Sequence, residues 1–200
     1  MIIRPAIARL YWACSKFRFV KATHPYEDAG VLLGVPHTSN WDFIVMLGIA
    51  WREGMRPQFL GKKELFRGPM GPLMRALGGI EVDRANPGTL VADLVERAKA
   101  GESFHLVITP EGTRSEKSVW KSGFYRIALD AGLPVTLGYV DTVTKTAGLG
   151  PTFRLTGDVT ADMDRVREFY AGMKGVTGRP TNPVLAQELA SGTDEPGPVE

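Results

Sequence analysis

Hydrophobic side chains come in short blocks along the chain, separated by polar connections that carry glycine and proline. Val31-Leu32-Leu33-Gly34-Val35 is a continuous apolar run of strand length and predicts a buried strand. Gln58-Phe59-Leu60-Gly61, Ile80-Glu81-Val82 and His105-Leu106-Val107-Ile108-Thr109 predict further strands, as do Val135 to Val140 and Phe153 to Leu155. Between them lie segments of helical character: Phe43 to Trp51, a stretch through Leu73 to Leu77, Leu90 to Ala100, Phe124 to Ala131, and Met163 to Ala171. Pro87 and Gly101 bracket the third of these, and Gly132 closes the fourth. Short strands alternating with helices predict an α/β fold, with a single domain and a mostly parallel mixed sheet flanked by helices.

The ends of the chain have a different pattern. Residues 1–22 predict an N-terminal amphipathic helix, because Ile3, Ile7, Leu10 and Tyr11 share one helical face with basic residues at its margins. The α/β domain is then expected over 23–190. From Gly175 onward glycine, proline and threonine accumulate, with a short helix expected at Val184 to Leu189 and a mobile tail at 191–200.

Composition narrows the class. At 200 residues, 44% hydrophobic and 23% charged, the chain is that of an ordinary folded domain. A net charge of +2, from 24 basic and 22 acidic residues, argues against nucleic acid as a partner. Cys14 is the only cysteine, so an internal disulfide and a cysteine-rich zinc site are both excluded, and a reducing, cytosol-facing location is expected. No stretch approaches the roughly 20 apolar residues needed to span a bilayer. Arg4 and Arg9 interrupt the apolar character that a signal peptide would need.

The charge is nevertheless uneven. Arg4, Arg9, Lys16, Arg18 and Lys21 precede the first acid, Glu27, and are interleaved with isoleucines and aromatics. Two readings of this segment stand side by side: an interfacial helix drawn to anionic lipid, or a terminal helix packed on its own domain. The first gives peripheral, monotopic association with the cytoplasmic side of a membrane.

Candidate chemistry concentrates just after the predicted strands, where α/β folds collect their ligands. His37-Thr38-Ser39-Asn40-Trp41-Asp42 follows the first strand. The plainer reading of Ser39 to Asp42 is a Ser-x-x-Asp helix cap. The chemical reading pairs His37 with Asp42, the carboxylate orienting the imidazole so that its other nitrogen takes a proton. Five residues of regular helix turn about 500°, which would separate the two side chains by roughly 140°. They meet only if His37 stays in the turn while Asp42 opens the helix, so the cap and the pair are compatible. Backbone N–H groups at that helix start are the expected oxyanion donors.

Glu111-Gly112-Thr113-Arg114-Ser115 follows another predicted strand and has the ingredients of an anion site. Gly112 permits close backbone approach, Thr113 and Ser115 offer hydroxyls, and Arg114 can grip phosphate with two N–H groups. Arg84 supplies a second cationic contact. Lys62, Lys63 and Lys121 are weaker candidates, and Pro-Glu-Gly-Thr also reads as a plain turn. The histidines are His24, His37 and His105, and none falls in a metal-binding spacing. His105, on an apolar strand, reads as a core residue. Neither a Walker-type loop nor a Gly-x-Ser-x-Gly elbow occurs.

Taken together, these segments resemble the ordered blocks of the glycerolipid acyltransferases, the 1-acylglycerol-3-phosphate acyltransferase-like family. His37 to Asp42 resembles its His-x4-Asp block, Glu81-Val82-Asp83-Arg84 its second block, Pro110 to Ser115 its Pro-Glu-Gly-Thr-Arg-Ser block, and Gly132-Leu133-Pro134-Val135 its fourth. Gly61 to Leu65 is similar to the segment that precedes the second. The resemblance implies that His37 is the general base and Asp42 its orienting partner. It implies a substrate-phosphate site of Arg84, Glu111, Gly112, Thr113 and Arg114. It also implies a thioester co-substrate, acyl-CoA or acyl carrier protein, with no cofactor, and a lysophospholipid acceptor at the inner leaflet. The product would be phosphatidic acid. A non-catalytic anionic-lipid-binding protein and a thioesterase or lipid hydrolase are the competing classes. Glu81 would repel an anionic substrate unless it points away.

Overall fold

The computed structural model describes residues 3–22, 26–61, 63–81, 87–112, 119–185 and 188. Within them the chain forms strands β1 (Arg18–Val20), β2 (Ala29–Val35), β3 (Pro57–Gly61), β4 (Gly79–Glu81), β5 (Phe104–Ile108), β6 (Val135–Asp141) and β7 (Thr146–Phe153). The helices are α1 (Ile3–Cys14), α2 (Trp41–Arg52), α3 (Met70–Ala76), α4 (Pro87–Lys99), α5 (Gly123–Asp130) and α6 (Val159–Tyr170), with a short 3₁₀ turn at Lys63–Phe66. All seven strands join one sheet in the order β1-β7-β6-β2-β5-β3-β4. Every neighbouring pair is parallel except β6 and β7, which form an antiparallel hairpin. The expected single-domain α/β architecture, with its mostly parallel sheet and N-terminal helix, is the observed one.

Because side chains alternate across a strand, the apolar run of β2 feeds two cores. Val31, Leu33 and Val35 join Leu106, Val135, Leu137, Phe124, Met163 and Tyr170 on the face covered by α5 and α6. Leu32 points the other way, to Val45, Ile49, Val107 and Val140 beneath α2. Fully burying such a side chain contributes roughly 1.5–3 kcal/mol, so the continuous run stabilises both layers at once. Helix α2 is itself enclosed, since α1 packs on its far side and the Trp12 indole donates a 3.0 Å hydrogen bond to the Gly48 carbonyl. The N-terminal helix is partly packed on its own domain, one of the two expected arrangements. Ala8 is buried against the domain, while Ile3, Ile7 and Leu10 are 74%, 48% and 69% exposed. Among the described residues no helix is long and apolar enough to cross a membrane.

The edge of the sheet departs from expectation. β1 was not anticipated, and β7 begins at Thr146 rather than Phe153. Gly148, Gly150 and Pro151 disguise this strand, and each has a physical reason to be there; a Cβ at Gly150 would run into the Phe169 ring. Pro151 sits where the β6–β7 register shifts, an interruption that tolerates a residue without an N–H. Gly148 pairs with Val20 of β1, and a Cβ there would run into the Val20 carbonyl oxygen. The expected helix at Val184 to Leu189 and the tail at 191–200 fall largely outside the described residues.

Gly148→Ala is therefore expected to force β1 off the sheet edge and cost about 1–3 kcal/mol, the usual range for overpacking. Denaturant unfolding measures the loss. Hydrogen exchange should rise first in 18–20, and unchanged stability with unchanged exchange would contradict the close approach.

Candidate active site

β2 and β5 run side by side in parallel, with Leu33 opposite Ile108. The segments that leave their carboxyl ends, Pro36-His37-Thr38 and Thr109-Pro110-Glu111, therefore emerge together on one rim. This register brings residues far apart in sequence into direct contact. The His37 backbone N–H donates to Glu111 Oε2 at 2.5 Å, and the Thr181 hydroxyl donates to Glu111 Oε1 at 2.6 Å.

Asp42, in the first turn of α2, organises the same loop from the other side. Its Oδ2 accepts the N–H groups of Thr38 (2.5 Å) and Ser39 (2.7 Å). Asn40 stands at the N-cap of α2 and makes no side-chain cap bond, so the expected Ser-x-x-Asp box is only half formed, by this bond to Ser39. The Ser39 hydroxyl accepts from Trp41 N–H at 3.2 Å. His37 stays in the turn, with Nδ1 3.3 Å from Asp42 Oδ2, and the ring is 22% exposed. This contact has ion-pair distance without hydrogen-bond geometry, and both His37 Nδ1 and Asp42 Oδ1 are buried without a hydrogen-bond partner among the described residues. Catalytic hydrogen bonds are commonly long before substrate binds and tighten in the complex. His37 in the turn and Asp42 in the first turn of α2 meet, as their spacing requires.

The helix-start N–H groups expected to serve as oxyanion donors are engaged elsewhere. Those of His37, Thr38, Ser39 and Trp41 are bound to the Glu111, Asp42 and Ser39 side chains. A turn lacking regular secondary structure must find acceptors for its buried donors, and here carboxylates provide them.

Beneath α2, between it and the sheet, lies a cavity of about 210 Å³. Leu32, Val35, Phe43, Met46, Ile49, Phe59 and Leu149 are among its lining residues. The strongly polar side chains among those residues belong to His37, Asp42, Thr109 and Tyr139. The imidazole thus borders an apolar space able to shelter an aliphatic chain, which is the usual make-up of a small-ligand site.

The other candidates divide. Arg84, Thr113, Arg114 and Ser115 lie outside the described residues, as do Lys62 and His24. Gly112 adopts a left-handed φ of 65° and its N–H donates to the Thr109 carbonyl at 3.0 Å, so Pro-Glu-Gly does form a tight turn. The Lys121 side chain lies over Gly112, close enough that a Cβ there would stand 2.6 Å from Cε. Lys63 is elsewhere, 3.9 Å from Glu81 at the end of β4, and Arg75 lies 4.0 Å from the same carboxylate. The exposed Glu81 charge thus faces two cations.

His105 is buried near the amino end of β5, at the opposite end of the strand from Glu111. Its Nε2 lies 3.0 Å from the Glu27 carbonyl, Nδ1 has no partner among the described residues, and burial holds its pKa below the ordinary value. Among the described residues no group of histidine, cysteine and carboxylate side chains is placed to hold a metal ion. Thr181 carries no local signal in the sequence, because its partner is contributed by the distant β5 loop.

Burial raises the Glu111 pKa above 4.5, against the lowering effect of the Thr181 and His37 hydrogen bonds and of the nearby His37; Asp42 pushes it further up. A carboxyl group with a raised folded-state pKa binds its proton more tightly when folded. Its contribution to stability is complete below 4.5 and is lost as pH rises through the folded value. Glu111→Gln does not titrate, so its stability relative to wild type should improve as pH rises from 4.5 towards neutrality. Thermal unfolding across that range tests this, and a stability of Glu111→Gln relative to wild type that stays constant or falls with rising pH would sink it.

No curated protein matches the chain. A family model described as acyltransferase matches residues 16–137, more than half of the chain and the whole span that carries the His-x4-Asp and Pro-Glu-Gly-Thr-Arg-Ser segments. The chain belongs to the acyltransferase family, the glycerolipid acyltransferases, and its chemistry is acyl transfer to a hydroxyl group in lipid metabolism.

Proposed function

We propose that the protein moves a fatty acyl group from a thioester of coenzyme A or acyl carrier protein to the free hydroxyl of 1-acylglycerol 3-phosphate, forming phosphatidic acid. The observation that carries this reading is the His37–Asp42 pair bordering an apolar cavity on the carboxyl rim of the sheet. The cavity suits the acyl chain, and the pair suits the proton transfer. The proposed acceptor follows the resemblance of residues 110–115 and 81–84 to the family's blocks, with Arg84, Glu111, Gly112, Thr113 and Arg114 proposed as its phosphate site.

In the proposed reaction His37 Nε2 removes the hydroxyl proton as the oxygen attacks the thioester carbonyl. Asp42 orients the ring through Nδ1 and stabilises the imidazolium. The tetrahedral intermediate collapses, the carbon–sulfur bond breaks, and the proton passes from His37 to the departing thiolate. Neither a covalent acyl-enzyme nor a cofactor takes part. Glu111 holds the His37 backbone in place, whatever further contact it makes to the acceptor.

We also propose that α1 rests on the cytoplasmic face of a membrane. Ile3, Ile7 and Leu10 project from a helix without acidic residues. Arg4 reaches from α1 to the Ala76 carbonyl at the end of α3, whose Met70 and Leu73 are 53% and 48% exposed. A discontinuous apolar face with basic residues at its margin fits an anionic lipid surface.

Purified protein given labelled acyl-CoA and 1-acylglycerol 3-phosphate should yield the diacyl product. Free fatty acid without acceptor would mark a thioesterase, and lipid binding without turnover a carrier; either overturns the proposal. His37→Ala should lose about 10²–10⁴ of the rate, the usual share of general-base catalysis, with its thermal midpoint retained. For the membrane proposal, sedimentation with phosphatidylglycerol-rich vesicles should bring down wild type and leave much of an Ile7→Glu/Leu10→Glu variant in solution. Equal sedimentation would count against α1.

A further inference from the structure

The residues after the family match, 138–200, include a segment that returns to the catalytic rim. Lys174 N–H donates to Asp141 Oδ1 at 3.1 Å, and the Lys174 carbonyl accepts from Thr142 N–H at 2.8 Å, which ties the segment to the end of β6. Gly175 then lies on the catalytic loop so closely that a Cβ would sit 2.6 Å from Thr38 Cγ2 and 3.1 Å from Pro36 Cβ. Thr177 N–H donates to Thr38 Oγ1 at 3.2 Å, and Arg179 Nη2 donates to the Thr38 carbonyl at 3.3 Å. Further along, Trp120 N–H donates to the Val184 carbonyl at 2.7 Å.

Thr181 sits between these anchors. A hydroxyl has a single proton to donate, and Thr181 gives it to Glu111 Oε1 while accepting from the Trp120 indole at 3.2 Å. Trp120 is 2% exposed. The hydrogen bonds therefore run in one direction, from a rigid indole through the hydroxyl to Glu111, whose other oxygen holds the His37 backbone. Remove the hydroxyl and one carboxylate oxygen loses its restraint. The Glu111 side chain can then rotate, and His37 with it.

We propose that residues 174–182 form a strap that positions the catalytic loop, with Thr181 as the positioning residue that locks Glu111 against the His37 backbone. On the rim the strap contacts Pro36 and Thr38, which flank His37, and Glu111. It acts by narrowing the range of positions the imidazole visits, and so rests on the reading of His37 as that base.

Thr181→Val keeps the shape and deletes the hydroxyl, whereas Thr181→Ser restores it. With acyl-CoA and 1-acylglycerol 3-phosphate, Thr181→Val should lower kcat by about 10- to 100-fold, the scale of a small misplacement of a catalytic group, over and above any change in KM for the acceptor that the freed Glu111 brings. Thr181→Ser should return kcat to near the wild-type value. Hydrogen exchange in 36–42 should be faster in Thr181→Val and normal in Thr181→Ser. Arg179→Ala, which releases the Thr38 carbonyl from the surface without disturbing the core, should also speed exchange there. Wild-type kcat in Thr181→Val, an effect confined to KM, or failure of the serine variant to rescue would overturn the strap. Should wild type form no diacyl product, the proposed acceptor falls instead, and exchange in 36–42 still decides the strap by itself.

Discussion

The hydrogen bond from the His37 backbone to the Glu111 carboxylate joins two loops that the sheet only brings near one another. Parallel pairing of β2 and β5 sets their carboxyl ends level, and the bond turns that proximity into a fixed relation between the imidazole and the β5 loop. The turn after β2 cannot satisfy its own donors, because a helix start and a strand end both leave N–H groups unpaired. Asp42 takes two of them, Glu111 takes the third, and the imidazole is placed as a consequence. Asp42 is at once an acceptor for the turn that leads into α2 and the neighbour of His37, so the fold and the candidate site share atoms.

That arrangement has an energetic cost. Glu111 is partly buried beside a second carboxylate, and its raised pKa shows that the charged form is disfavoured there. A neutral residue would be easier to bury, but only a carboxylate presents two oxygens that accept without also offering a donor. Functional sites often keep a destabilising group where geometry demands it. The surrounding packing carries this cost: Trp120, Phe124 and Tyr170 form a T-shaped aromatic cluster in the core that backs the rim.

The division of the molecule into two cores also bears on the site. Helix α2 lies between the sheet and α1, so Val45 to Ala50 are enclosed by protein, while its amino end carries Asp42 to the rim. The cavity occupies the sheet side of this helix. A hydrocarbon chain held there would lie against Leu32, Val107 and Ile49, the same residues that pack the layer. The imidazole borders it, still partly open to solvent.

Much of this was legible along the chain. The strands β2, β3, β5 and β6 and the helices α2, α4 and α5 announce themselves through runs and periodicities that act within a few residues. The spacing of His37 and Asp42 allows one geometry, a turn followed by a helix start, and the structure has it. Edge strand β1 and the true extent of β7 were hidden, because Gly148 answers to the backbone of β1 and Pro151 to a register shift, neither of which is a local preference. The plain turn and the anion-site reading of Pro110 to Gly112 could not be separated in sequence, since one left-handed glycine serves both.

What the sequence by itself determined is the class of chemistry and the elements of the candidate site: an imidazole and a carboxylate at a strand-to-helix turn, and a glycine turn after a neighbouring strand. Tertiary structure alone decided how those pieces are held. It put Glu111 under the His37 backbone, laid Gly175 on Thr38, and set Thr181 between Trp120 and Glu111. The physical reason is that these contacts depend on the pairing of strands distant in sequence and on the path of a chain without periodicity. Local propensity encodes neither.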